Sequence, residues 1–167
     1  MSAPWSHPVR LAEAQRGAAL ALEASEAERA RVAVLLDLPA LASLTAEATL
    51  RAWLDGAELK ARWRAAFTRT CGVTLEPFDQ VLEGEFAVRM VPAGSPNAPV
   101  EAEELDLDAP DPPDVLEDDR IDVAAYVVEH FALELDPFPR APGAAFAPPD
   151  DPAEPSPFAA LAALKRD

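Results

Sequence analysis

Leu44-Thr-Ala-Glu-Ala-Thr-Leu-Arg-Ala-Trp-Leu54, then Asp55-Gly56, then Ala57-Glu-Leu-Lys-Ala-Arg-Trp-Arg-Ala65 is the stretch on which the fold turns. In its first arm Leu44, Ala46, Ala48, Leu50, Ala52 and Leu54 alternate with Thr45, Glu47, Thr49, Arg51 and Trp53. In its second arm Ala57, Leu59, Ala61, Trp63 and Ala65 alternate with Glu58, Lys60, Arg62 and Arg64. Successive side chains of a strand point to opposite faces, so a period of two is a strand signal. Asp55-Gly56 is a favoured two-residue turn. The stretch therefore predicts a long antiparallel hairpin with one apolar face. A third strand is predicted after Pro77, from Gln80 to Val91, with Val81, Phe86, Val88 and Met90 as its apolar residues. A meander of three such strands needs a cover on its apolar face.

Two helices can supply that cover. Ser25-Glu-Ala-Glu28 has the form of a capping box, in which Ser25 and Glu28 satisfy each other's free backbone N–H groups. The helix it opens carries Val32, Leu35 and Leu36 and stops before Pro39. Asp122 is an N-cap for a second helix with a stripe of Ala124, Val127, Val128, Phe131 and Leu135, ended by Pro137. Val9–Ala12 and Ala18–Leu22 read as short strands separated by Gly17, and His7 falls in a flexible start. The predicted fold class is α+β: an antiparallel β-meander/hairpin sheet packed with two helices, with an acidic disordered loop and a short C-terminal helix. One domain is expected over 1–146, with a mobile acidic insertion at 93–119. A Pro/Asp-rich linker and helical tail follow at 147–167.

Charge is divided unevenly along the 167 residues. Residues 1–100 hold 10 Lys and Arg against 12 Asp and Glu, whereas 101–167 hold 4 against 18, and the total is -16. Bulk acidity argues against broad, nonspecific phosphate binding but leaves room for a local basic surface. The window 101–122 has eleven acids and one base, Arg120, too little apolar surface to offset its ordering entropy. No apolar run approaches the ~20 residues of a membrane span, and the N-terminus lacks a secretory pattern. A single cysteine, Cys71, makes no internal disulfide, so a cytoplasmic protein is expected.

Chemistry-bearing patterns are few. Cys71 has only His7 and His130 as distant histidine partners, no glycine loop cradles a phosphate, and no metal or cofactor set is present in the sequence. The expectation is a non-enzyme without cofactor or metal. Arg51, Lys60, Arg62 and Arg64 form a basic row on the outer hairpin face, with Trp53 among them and Arg69 further along. Such a face suits a nucleic-acid backbone and stacked bases, or is a solvated strand surface. The acidic window suits a basic protein partner, or is a solvating insertion. In the tail, Phe158, Leu161 and Leu164 at helical spacing suit a docking helix, or fold back on the domain.

Three segments together carry a family resemblance: Cys71-Gly-Val-Thr-Leu-Glu-Pro77; Asp122-Val-Ala-Ala-Tyr-Val-Val-Glu-His-Phe-Ala-Leu-Glu-Leu-Asp-Pro-Phe-Pro-Arg-Ala-Pro-Gly143 after the acidic insert; and Ser156-Pro-Phe-Ala-Ala-Leu-Ala-Ala-Leu-Lys165. Their order resembles the YceD family, the large ribosomal RNA subunit accumulation proteins, in its alphaproteobacterial form, from the helix after Ser25 to the C-terminus. The resemblance implies a cytoplasmic, non-enzymatic ribosome-biogenesis factor that supports synthesis, processing or stability of 23S rRNA. Its partner would be 23S rRNA or its precursor, and direct binding of that RNA is what the basic hairpin row suggests. The alternative is an acidic adaptor or chaperone for a basic large-subunit ribosomal protein. No membrane and no small-molecule cofactor are implied. The matching positions are Cys71, Thr74, Pro77, Glu129, Asp136, Pro137, Pro139, Arg140, Pro142, Gly143, Pro157, Phe158 and Lys165. Many relatives carry Cys-x-x-Cys at the first motif; here Thr74 stands at the second position, and the later motif has no cysteine.

Overall fold

Gly56 to Thr70 forms a fifteen-residue strand at the centre of a sheet, and the other elements are arranged around it. The computed structural model describes residues 3–99 and 111–146. In chain order the elements are β1 (Pro8–Arg10), α1 (Leu11–Ala14), β2 (Ala18–Glu23), α2 (Glu26–Leu35), β3 (Ala40–Trp53), β4 (Gly56–Thr70), β5 (Pro77–Pro92), β6 (Asp114–Leu116), β7 (Arg120–Asp122) and α3 (Val123–Leu133). Strands β2 to β6 lie side by side in that order. All pairings are antiparallel except β5 with β6, which is parallel. β1 and β7 pair as a separate two-stranded ribbon. The α+β class and the central meander are as the hairpin pattern predicts; the ribbon and the parallel step are not visible in it.

The hairpin turns one residue earlier than Asp55-Gly56 suggests. Trp53 pairs with Gly56, so the loop is Leu54-Asp55, with Leu54 at φ 50. Gly56 is needed for another reason: a Cβ there would lie 1.8 Å from the Met90 carbonyl oxygen of β5. The apolar face runs through Leu44, Ala46, Ala48 and Leu50 but not to Ala52 and Leu54, which are exposed. On β4 it is continuous from Ala57 to Phe67. On β5 the register opposes Phe86 to Ala61, Val88 to Leu59 and Met90 to Ala57. Val81 faces the other way, and Leu82 takes the inward place expected of it, because alternation fixes the face once Phe86 is placed. Gly84 faces Trp63, whose indole occupies the space a Cβ would need, 2.6 Å from Cζ2.

Two helices cover this face. The Trp63 and Phe67 rings pack on Phe131 of α3 at centroid distances of 5.3 and 5.2 Å. Ala124, Val127 and Val128 complete the buried stripe of α3, and Leu135 packs against its edge. Ser25 and Glu28 form the capping box of α2, with the Ser25 N–H donating to Glu28 Oε2 at 2.8 Å. Val32 is buried, but Leu35 is exposed and Ala33 takes the inward position instead. Burial of full surface for such residues stabilises by ~1.5–3 kcal/mol per large side chain.

Several expectations need correction. Leu11 and Ala12 belong to the short turn of α1, not to a strand. The N-terminal segment is tied down: Trp5 is buried, and Ser6 Oγ and the His7 N–H donate to Asp122 at 2.6 and 2.8 Å. Asp122 also caps α3 by accepting from the Ala125 N–H. The acidic window is structured at its ends. Asp114–Leu116 adds to the sheet, Leu116 is buried, and Tyr126 OH donates to Asp114 at 2.8 Å. Its centre and the predicted C-terminal helix lie outside the described residues. Among the described residues, no helix is long and apolar enough to cross a membrane.

Candidate nucleic-acid interface

The uncovered face of the sheet carries the residues expected to meet RNA, and the register aligns them in rows. One row is Glu23, Thr45, Arg64 and Glu83; the next is Ala21, Glu47, Arg62 and Glu85. Then come Ala19, Thr49, Lys60 and Ala87, and finally Arg51, Glu58 and Arg89. Two adjoining hollows of about 720 and 810 Å³ cross this face and share Ala21, Glu47, Arg62 and Glu85. Small side chains on β2 and β5 leave the rows open to solvent.

The row is not uniformly basic. Arg62 pairs with Glu85 at 3.1 Å, and Arg64 pairs with Glu83. Both pairs are exposed, where an ion pair contributes only ~0–1 kcal/mol. They neutralise the surface more than they stabilise it. At the hairpin tip the balance reverses. Arg51 Nε donates to Glu58 Oε2 at 2.6 Å, Lys60 Nζ lies 3.6 Å from the same oxygen, and Arg89 Nε lies 3.4 Å from Oε1. The Glu58 side chain is 7% exposed, whereas those of Arg51, Lys60 and Arg89 are 65%, 51% and 48% exposed. Three cations against one carboxylate leave this cluster at +2. Burial opposes the charge on Glu58, but Arg51 first and then Lys60 and Arg89 outweigh it and hold the carboxyl below the ordinary glutamate range. The Arg89 guanidinium lies 5.3 Å from the centroid of the Trp53 ring, a cation–π contact on the same face.

Arg51, Trp53 and Lys60 are thus brought together, while Arg62 and Arg64 belong to a middle where Glu23, Glu47, Glu83 and Glu85 outnumber them. Arg69 is elsewhere. It shares the parity of Phe67 on β4 and so projects from the helix-covered face. There it lines a hollow of about 370 Å³ with Asp37, Leu38, Pro39, Thr70 and Pro139, and its Nη1 is buried without a hydrogen-bond partner among the described residues. Arg89 and Glu58 were missed as site residues. Glu58 was visible on the polar face of the hairpin; Arg89 joins it only through the β4–β5 register.

The first two family motifs meet at the opposite end of β4. The Gly72 N–H donates to the Pro139 carbonyl at 2.8 Å, and the Ala141 N–H donates to Cys71 Sγ at 3.3 Å. Val73 and Thr74 N–H donate to the same sulfur at 3.4 and 3.5 Å. The Ala141 N–H, then Thr74 and Val73, prevail over burial and lower the Cys71 thiol to about 6. Asp136 accepts from the Phe138 N–H at 2.8 Å and sets the turn that brings Pro139 to Arg140 into place. Gly143 has φ 76. Glu129 is exposed on α3, and Pro77 opens β5. With one sulfur, Thr74 at the second motif position and backbone N–H groups around the thiol, these residues do not make a cysteine metal site. Pro157, Phe158 and Lys165 lie outside the described residues.

A family model described as Large ribosomal RNA subunit accumulation protein YceD matches residues 59–165, from the middle of the hairpin through both motifs to the tail. Everything before Leu59, including β3, lies outside the matched span. No curated protein and no solved structure matches the chain.

Proposed function

The chain belongs to the YceD family of large ribosomal RNA subunit accumulation proteins, and from that premise we propose that it supports large-subunit rRNA by binding it at the hairpin tip, without catalysing a reaction. The observation that carries this reading is the convergence of Arg51, Lys60 and Arg89 on one buried carboxylate beside Trp53. Phosphate binding needs cations that are not already neutralised, and stacking needs an aromatic face on the same surface. The tip supplies both. Glu58 acts there as an organiser: it fixes the spacing of three flexible side chains while consuming one of their three charges.

A second reading has its own support. The formal charge of -16 favours a basic protein partner, which fits an adaptor for a basic ribosomal protein. Crosslinking in cells, with RNA and protein partners identified together, separates the two. The tip reading expects large-subunit rRNA or its precursor to be recovered with the wild-type chain and lost with Lys60→Glu/Arg89→Glu. Recovery of a ribosomal protein alone, unaffected by that variant, contradicts it and favours the adaptor.

A further inference from the structure

The sheet ends in an unequal edge. β5 runs from Pro77 to Pro92, but β6 pairs with it only at Met90, Val91 and Pro92. Among the described residues, the edge from Pro77 to Arg89 has no strand partner. A strand edge presents a row of free N–H and C=O groups, and proteins usually blunt such edges or use them.

Both faces of this edge are half-built. On the open face, the cross-strand charges alternate toward it. Glu47, Arg62 and Glu85 give negative, positive, negative; Arg64 and Glu83 end the neighbouring row in the same sense. Opposite charges on directly facing residues stabilise strand pairs, so the next position outward in both rows calls for a cation. On the covered face, Leu82 and Phe86 are only partly buried. Phe86 stacks on His130 of α3 at 3.9 Å and 11°. Tyr126, His130 and Leu133 share one stripe of α3 by their i, i+4, i+7 spacing, and Leu133 is 79% exposed. This leaves an apolar ledge beside the edge, under the helix.

We propose that the edge of β5 between Pro77 and Arg89 accepts an extended segment of a basic protein as an added strand. Its Lys or Arg side chains face Glu83 and Glu85, and its intervening apolar side chains pack beside Leu82, Phe86 and Leu133. The occupant is set by charge complementarity and by period two: basic, apolar, basic. The surface centres on Glu83 and Glu85, meets the hairpin tip only at Arg89, and its argument does not rest on RNA binding there; it also gives a protein partner a defined place.

The test uses the full chain, labelled for NMR, and a capped decapeptide of alternating Lys and Val. The peptide is expected to slow hydrogen exchange at alternate amides between Phe78 and Arg89. The same peptide methylated on alternate backbone nitrogens should lose binding, because the added strand is held by main-chain hydrogen bonds. Glu83→Gln/Glu85→Gln should weaken the unmethylated peptide roughly fivefold, as expected for two exposed ion pairs. Absent protection in β5, or equal binding by both N-methylated registers of the peptide, would overturn the proposal. Neither result bears on RNA binding at Lys60 and Arg89, which is measured separately on the same sample.

Discussion

Lys60 and Arg62 stand two residues apart on one strand and one face, yet they belong to different electrostatic surfaces. Arg62 is matched one to one by Glu85, and Arg64 by Glu83. Lys60 shares a single carboxylate with Arg51 and Arg89. The difference is made by β5, which sets Glu83 and Glu85 beside the middle of β4 and Arg89 beside its start. A strand's own charges therefore do not define the surface it makes; the facing residues of its neighbours decide whether a cation is spent or available.

The contrast is broken most directly by reversing charge at the tip. Lys60→Glu/Arg89→Glu should weaken binding to a large-subunit rRNA fragment by about a hundredfold, since charged hydrogen bonds contribute ~1.5–3 kcal/mol each. Fluorescence anisotropy at two salt concentrations checks it, with a flatter salt dependence in the variant. Glu58→Gln should cost about 2 kcal/mol of stability at neutral pH by leaving three cations around a buried neutral group. The sign follows from its depressed carboxyl. The stabilisation is fully present above the ordinary glutamate value and is lost as pH falls through the lower folded value. Urea unfolding at neutral and acid pH should therefore show the wild type and Glu58→Gln converging as acid is added.

Smaller effects sharpen the comparison. Trp53→Ala should weaken RNA binding by about tenfold, within the ~1–3 kcal/mol typical of base stacking. Arg62→Gln/Arg64→Gln should change binding by about twofold or less, because these cations are already paired and exposed. A loss as large as that at the tip would show that the middle of the face belongs to the interface. Cys71→Ala, at the far end of β4, should leave RNA binding unchanged, lower stability at every pH by removing a buried side chain that accepts three backbone N–H groups, and lower it further as pH rises. A thiol lowered to about 6 stabilises the fold above its ordinary value of 9.0, and that contribution fades as pH falls toward 6. The gap between the two thermal melts should be smallest below pH 6 and widen above it.

Local patterning was sufficient for the hairpin, both helices and their caps. Period two ran through each arm, Leu44 to Leu54 and Ala57 to Ala65, and Ser25 and Asp122 carried their capping chemistry in the side chain. What escaped it was non-local. The turn moved to Leu54-Asp55 because Gly56 is required where β5 approaches, a fact held in Met90. β6 and the β1–β7 ribbon depend on pairings of three residues each, too short to leave a periodic trace, and β6 lies in a window whose composition argues against order. The site was half legible. Arg51, Trp53 and Lys60 could be assigned to one face from alternation alone, as could the exclusion of Arg69, whose parity is that of Phe67. Arg89 entered only with the register of a third strand. The meeting of Cys71 with Ala141 across 70 residues of sequence had no local signal beyond the shared motif order.

The central claim is that the tip, and not the middle of the face, meets RNA. Ultraviolet crosslinking of the wild-type chain to large-subunit rRNA, followed by mass spectrometry of the digested protein, tests it at residue level. Nucleotide adducts are expected on peptides containing Arg51, Trp53, Lys60 or Arg89. Adducts confined to Arg62 and Arg64, or to surfaces away from the hairpin, would contradict it.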